Sequence, residues 1–304
     1  MADIKNLQGW AGYDAAQDAW AMIGSQFSPF FIAGQTKATQ GATFRGWEAA
    51  RKVLGKDLFC RPQETGDCVA VSATDMMNLT QLIEIVAGQN ETFKPLFAPY
   101  AYAIGRCLIG KNQLKGRGAG SIGSWQAYGI QKYGVLAEET DGLPSYSGTL
   151  ADKWGDDRDG WRKWIDIGDD HRIKTVSQVT TWSQLVDAVS NGYLATIASD
   201  LGFDNNLSSG YNRRKGSWAH QMGIWGVSDD KSKPWVAIHN QWGDRHERIR
   251  DFETEKEWPT GMLRVRPDDI EEAFRRGEVM VYSHFDGYPD RSNSWDDWAF
   301  ITGV

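Results

Sequence analysis

The hydrophobic period of this chain changes partway along it, and that change limits the folds open to it. From Cys68 to Val86 apolar residues recur at Val69, Ala73, Met76, Leu79, Ile83 and Val86, the three-to-four spacing of one helix face. Pro99–Ile109, Ser124–Tyr133 (stopped by Gly134) and Trp182–Ser190 (closed by Asn191-Gly192) read as further helices. The later runs are short and rich in β-branched and aromatic residues: Leu194–Ala198, Gln221–Val227, Trp235–Asn240, Met262–Val265 and Val279–Tyr282. Helices first and strands later predict an α+β fold with a helical half and a β half. A cleft between two such halves is a natural binding site.

The flanks are less informative. Two apolar-periodic patches, Tyr13–Phe27 and Trp47–Leu54, surround a polar stretch, Gly34–Thr43, so residues 1–59 read as an N-terminal extension with one or two helices. Residues 141–160 are turn-rich, and residues 291–304 form a Trp-rich tail. No apolar run approaches the roughly 18 residues of a membrane span, and the opening MADIKNLQGW lacks the basic start and apolar stretch of a secretory signal. With Lys+Arg 33 against Asp+Glu 40, a net charge of −7 argues against a nucleic-acid partner. The short basic spot at Asn212–Lys215 reads as solvated loop charge. Three cysteines, Cys60, Cys68 and Cys107, make no disulfide framework and suit a reducing, cytoplasm-like or particle-associated setting. The 15 tryptophans fit either a core or a groove for peptide or sugar.

Cys68 stands where the longest helix begins, with Asp67 placed to cap it. Unpaired amide hydrogens at a helix start favour a thiolate, which makes Cys68 a candidate nucleophile. A nucleophilic thiol needs a base, and the base needs an orienting group. Of the five histidines, His171 and His246 lie in charged stretches that read as surface, and His284 is ambiguous. His220 leads into a strand, and His239 precedes Asn240. The seven-residue step from His239 to His246 suits no helical pair and no third ligand is evident, so no metal is assigned and no cofactor is expected.

In chain order come Gln63, Cys68 opening a helix, His220 followed by a strand, and Asn240-Gln241-Trp242-Gly243. This order resembles the papain-like cysteine peptidases. The resemblance implies a two-lobed fold, with Cys68 as nucleophile, His220 as base and Asn240 as the residue that orients it. It implies that Gln63 and the Cys68 amide hold the oxyanion and that Trp242 shields the Asn240–His220 bond. Gly120 and Ser121, ahead of SWQAYGIQKYGV, resemble the loop that binds substrate backbone. Glu138 with Leu143–Tyr146, and LVDAVSNGYLATIASD, follow the same pattern. The peptidase domain is accordingly placed at 60–290.

Some positions depart from the pattern. Gln63 precedes Cys68 by five residues, one fewer than usual; Val69 replaces an aromatic residue; Thr65 replaces a disulfide cysteine; Ser121 replaces a glycine. The separation from Cys68 to Asn240 exceeds the family's range of about 130–150 residues, which marks 200–217 as an insertion beside the cleft. The implied function is thiol-dependent hydrolysis of a peptide or protein substrate. Two other readings stand beside it: a structural or assembly module of a large particle, which allows an oligomer or assembly partner, and a cell-wall peptide hydrolase whose exposed tryptophans hold sugars.

Overall fold

A computed structural model describes residues 3–28, 41–89, 92–168 and 171–283. His284 and the tail at 291–304 lie outside the described residues. The chain opens with α1 (Ile4–Leu7) and α2 (Tyr13–Ile23), then β1 (Thr43–Arg45) and α3 (Trp47–Leu54). The long helix α4 (Cys68–Val86) follows, then α5 (Ala98–Ala103), which runs on into a π-helical turn at Ile104–Ile109, and α6 (Gly123–Tyr133). Next come α7 (Gly148–Gly155), α8 (Ile165–Gly168), β2 (Val176–Gln178) and α9 (Trp182–Ser190). The region read as turns contains α7 because Ser147 caps it, accepting the Leu150 amide at 3.2 Å, and because Ala151 and Trp154 bury one face.

The β half is an antiparallel sheet of β3 (Ala195–Phe203), β4 (Arg214–Ser228), β5 (Trp235–His239), β6 (Met262–Val265) and β7 (Glu278–Tyr282), with α10 (Pro267–Arg276) before the last strand. The strand order is β2-β7-β3-β4-β5-β6, and β1 pairs with the far end of β4. The segment at 200–217 extends the β3–β4 hairpin past a bulge after Ser199. Its tip is closed by the Asp204 amide on the Arg213 carbonyl at 2.9 Å and by Asn212 Nδ2 on the Asp204 carbonyl at 2.9 Å.

Helix α4 is the axis of the molecule. The sequence suggests one apolar face, but the helix is buried on every side until its last turn, polar residues included. Two of those polar residues, Asn78 and Gln81, are partnered across the fold. Asn78 Oδ1 accepts the Leu96 amide at 3.0 Å, and Gln81 exchanges two bonds with the Lys94 backbone at 3.0 Å each. Buried polar groups of this kind must be bonded or they cost folding free energy. The first turn of α4 is tied to β4 by Gln221, whose Nε2 donates to the Val69 carbonyl (3.1 Å) and to Ser72 Oγ (2.9 Å).

Most tryptophans are core. Trp47, Trp235 and Trp258 form one cluster, with ring centroids 4.9 Å apart for both Trp47–Trp258 and Trp235–Trp258. Trp154, Trp161 and Trp164 fill a second cluster in the helical half. No tryptophan among the described residues is exposed; Trp20, Trp182 and Trp218 are half-buried. No helix among the described residues is long and apolar enough to cross a membrane, and Cys60, Cys68 and Cys107 are free thiols.

Candidate active site

The start of α4 meets β4 at the seam between the two halves. Cys68 is the first helical residue and fully buried, with the backbone amides of Gln221, Gly9 and Val69 toward its sulfur. Burial outweighs those donors and pushes the thiol up to about 12. The helix dipole that favours a thiolate at this position is therefore overridden while the seam is closed. Asp67 takes the cap position but makes no capping bond. Its carboxylate accepts the Tyr146 hydroxyl at 3.0 Å instead, and burial raises it to about 7.

His220 lies on β4, one residue before Gln221, whose backbone faces the Cys68 sulfur. Its Nε2 is 3.0 Å from Asn240 Oδ1, and its Nδ1 has no hydrogen-bond partner. Asn240 follows β5 directly and is held by its amide on the Gly261 carbonyl at 2.9 Å. The Asn240 amide group continues the chain: Nδ2 is 2.9 Å from His246 Nε2, and His246 Nδ1 is 2.6 Å from Asn205 Oδ1. Asn205 Nδ2 donates to the Arg245 carbonyl at 3.0 Å, which turns its oxygen toward His246. The polarity of this chain sets both tautomers. His246 donates from Nδ1 and accepts at Nε2; His220 donates from Nε2 to Asn240 and keeps Nδ1 as a free acceptor. Burial lowers His220 to about 3 despite the Asn240 bond, and lowers His246 to about 4.

His246 is therefore not a surface residue. It is buried and takes part in the network, brought there by the β3–β4 hairpin that carries Asn205. Its charged neighbours in the sequence hid this. Trp242 covers His220 with ring centroids 4.6 Å apart, and Trp218 packs on Trp242 at 4.8 Å. Gln63 is buried next to the same seam. Its backbone amide donates to the Gln241 carbonyl at 3.0 Å, joining the two segments.

The cleft is filled by the chain's own residues 7–11. Gln63 Nε2 donates to the Leu7 carbonyl at 2.8 Å as well as to the Thr65 carbonyl at 2.7 Å. The Ser121 amide donates to the Gly9 carbonyl (2.7 Å), the Ala11 amide donates to the Ser121 carbonyl (2.8 Å), and Trp10 pairs with Ser121 in a parallel bridge. On the β side the Trp10 amide donates to the Ala219 carbonyl at 3.0 Å. The Trp10 indole donates to Glu278 Oε2 at 2.7 Å, and the same buried carboxylate accepts the Gly123 and Ser124 amides at the start of α6, both at 2.8 Å. Gly9 is obligatory here: a Cβ on it would stand 1.9 Å from the Gly66 carbonyl oxygen. Gly120 holds a φ of +121°, and its amide and carbonyl both bond the Tyr102 hydroxyl, at 2.7 and 3.2 Å. Sequence reasoning placed Gly120 and Ser121 beside the cleft but missed Trp10 and Glu278. A lone Glu at a strand start gives no local signal.

This architecture is that of the papain-like cysteine proteases, to which the chain is similar along nearly its whole length. It superposes on xylellain, a cysteine protease from Xylella fastidiosa, at 11% identity and TM-score 0.54, covering 93% of each chain. It covers 91% of its length and 86% of procathepsin B S9 from Trypanosoma congolense, at 10% identity and TM-score 0.56. The proform of Amb a 11, a cysteine protease and major ragweed pollen allergen, matches at 13% identity and TM-score 0.55, over 91% of this chain and 76% of that one. At these identities the likeness is one of fold. No family model matches the sequence, and no curated protein does.

Proposed function

We propose that the chain is a thiol-dependent peptidase in a latent form, with Cys68 as nucleophile, His220 as general base and acid, and Asn240 as the group that orients His220. One observation supports the reading: His220 is held through Nε2 by Asn240 while Nδ1 stays unpartnered, and the backbone of the next residue, Gln221, faces the Cys68 sulfur. Cys68 gives its proton to His220 Nδ1, and the thiolate attacks a peptide carbonyl carbon. The developing oxyanion takes hydrogen bonds from Gln63 Nε2 and the Cys68 amide, a donor effect of roughly 3 kcal/mol each. The imidazolium proton passes to the leaving amine and a thioester remains. Water, deprotonated by His220, attacks the thioester; the acid product leaves and the sulfur recovers its proton.

Latency follows from the filled cleft. The Leu7 carbonyl occupies the Gln63 donor that the oxyanion needs, and residues 9–11 take the backbone of Ser121. Displacing this segment rehydrates Cys68 and His220, lowers the thiol and raises the imidazole, and restores the conditions for proton transfer. Two of the structural neighbours are themselves described as pro-forms, which supports the same reading here.

The test is covalent labelling with a peptidyl epoxysuccinate, located by mass spectrometry, on the native chain and on Gly9→Val. The expected result is stoichiometric modification of Cys68, faster in Gly9→Val, with Cys60 and Cys107 untouched and labelling lost in His220→Ala. Peptide hydrolysis at the wild-type rate in Cys68→Ala overturns the assignment. A folded Gly9→Val protein that stays unlabelled favours the assembly-module reading, in which the closed seam is permanent.

A further inference from the structure

A second cluster of reactive side chains lies about two turns along α4 from Cys68. Cys60, Asp75 and His239 place one ligand-type atom each within 4.8 Å of one another. Asp75 and His239 are 6% and 4% exposed, and Asp75 Oδ2 and His239 Nδ1, 3.9 Å apart, are buried without a hydrogen-bond partner. The Cys60 thiol interacts with the Asp75 carboxyl, but two buried polar atoms facing each other without a partner are costly unless a third group satisfies both. His239 is fixed by stacking on Trp225, with centroids 4.0 Å apart and planes within 12°. A cavity of about 270 Å³ is lined by Asp75 and by Phe59 and Arg61, the chain neighbours of Cys60.

We propose that Cys60, Asp75 and His239 form a binding site for a zinc-type divalent cation. The donor set decides the class: thiolate sulfur with imidazole nitrogen suits zinc and its neighbours, whereas magnesium and calcium call for oxygen ligands. Tetrahedral zinc, with bonds of about 2.0–2.1 Å to nitrogen and 2.0–2.2 Å to oxygen, sets those two atoms roughly 3.3 Å apart. The observed 3.9 Å closes to that by small side-chain rotations. With three protein ligands, a tetrahedral ion would take a water or an incoming ligand as its fourth. The Cys60 thiol proton is released to solvent on binding. The ion would join three segments of the seam: Cys60 stands three residues before Gln63, Asp75 two helical turns after Cys68, and His239 immediately before Asn240. The site is independent of the peptidase reading.

The experiment titrates Co²⁺ into the full chain carrying Cys68→Ala, under reducing, oxygen-free conditions, so that the seam thiol contributes nothing. One equivalent of Co²⁺ is expected to give a sulfur-to-cobalt charge-transfer band in the near ultraviolet and the visible bands of a tetrahedral site, both erased by Zn²⁺. The charge-transfer band should vanish when Cys60→Ser is added. Asp75→Asn should weaken binding by roughly tenfold or more, and Zn²⁺ should raise the Tm of the Cys68→Ala chain but not of the chain that also carries Cys60→Ser. Absence of the band in folded Cys68→Ala protein, or its persistence with Cys60→Ser, overturns the site. Either result leaves the labelling of Cys68 in the wild-type chain untouched, so the two readings fail separately.

Discussion

Asp67 and Gln63 show how one residue's role depends on what reaches it. Asp67 sits at a helix start, yet its carboxylate faces the Tyr146 hydroxyl and burial raises it to about 7. A carboxyl with a raised folded-state pKa binds its proton more tightly than the unfolded chain does. Its contribution is therefore present below an unfolded value of about 3.9 and is lost as pH rises toward 7. Asp67→Asn removes that dependence: thermal melts should show the variant gaining Tm over the wild type at pH 8 and no gain at pH 4. Gln63 offers one amide group to a carbonyl that stands where an oxyanion would. Gln63→Ala should lower kcat of the opened enzyme by about 10²–10³-fold, with KM changed far less; an unchanged kcat in steady-state assays would remove Gln63 from the mechanism.

At the scale of elements, the seam is held from behind by ion pairs the site does not use. Arg45, on β1, bonds Asp251 through Nε (2.9 Å) and Nη2 (2.8 Å), and Trp258 Nε1 adds a third donor at 2.8 Å. Burial works against the Asp251 charge, but Arg45 and Trp258 more than offset it and hold the carboxylate below its usual range. Its stabilising contribution is complete above about pH 4 and disappears as pH falls through the depressed value. Arg45→Met leaves a buried carboxylate unpaired, and urea unfolding at pH 7 should show a loss of about 3–5 kcal/mol, shrinking in acid. The β3–β4 hairpin is a second case. Its extension reads from the sequence as an insertion, yet it delivers Asn205 to His246 and so completes the hydrogen-bond chain behind Asn240.

For the whole molecule, the decisive feature is that residues 7–11 lie across the seam between the helical and β halves. They bond Gln63 and Ser121 on one side and Ala219 and Glu278 on the other. A side chain at position 9 collides with the Gly66 carbonyl, so Gly9→Val should loosen the segment without touching either half. Weakening its docking by about 1.4 kcal/mol exposes Cys68 tenfold more often, and iodoacetamide alkylation of Cys68 should accelerate by that factor or more. An unchanged rate would mean that burial of Cys68 has another source.

Much of this fold was legible from periodicity. The spacing of Val69, Ala73, Met76, Leu79 and Ile83 specifies a helix whatever surrounds it, and the β-branched runs from Leu194 onward specify strands, because both signals are carried by near neighbours in the chain. The order of Gln63, Cys68, His220 and Asn240 likewise marked a candidate site, through its resemblance to a family pattern and with Cys68 opening a helix. Other facts depend on distant contacts. His246 sits among charges and reads as surface; only the hairpin bearing Asn205 buries it. Residues 7–11 carry no local sign of lying across Cys68, and Cys60, Asp75 and His239 come from a loop, α4 and β5. By itself the sequence determined the central helix, the main strands of the β half and which thiol opens that helix. The tertiary structure alone decided what lies within hydrogen-bonding reach of that thiol, because burial and its effect on protonation arise from residues that meet only when the chain has closed.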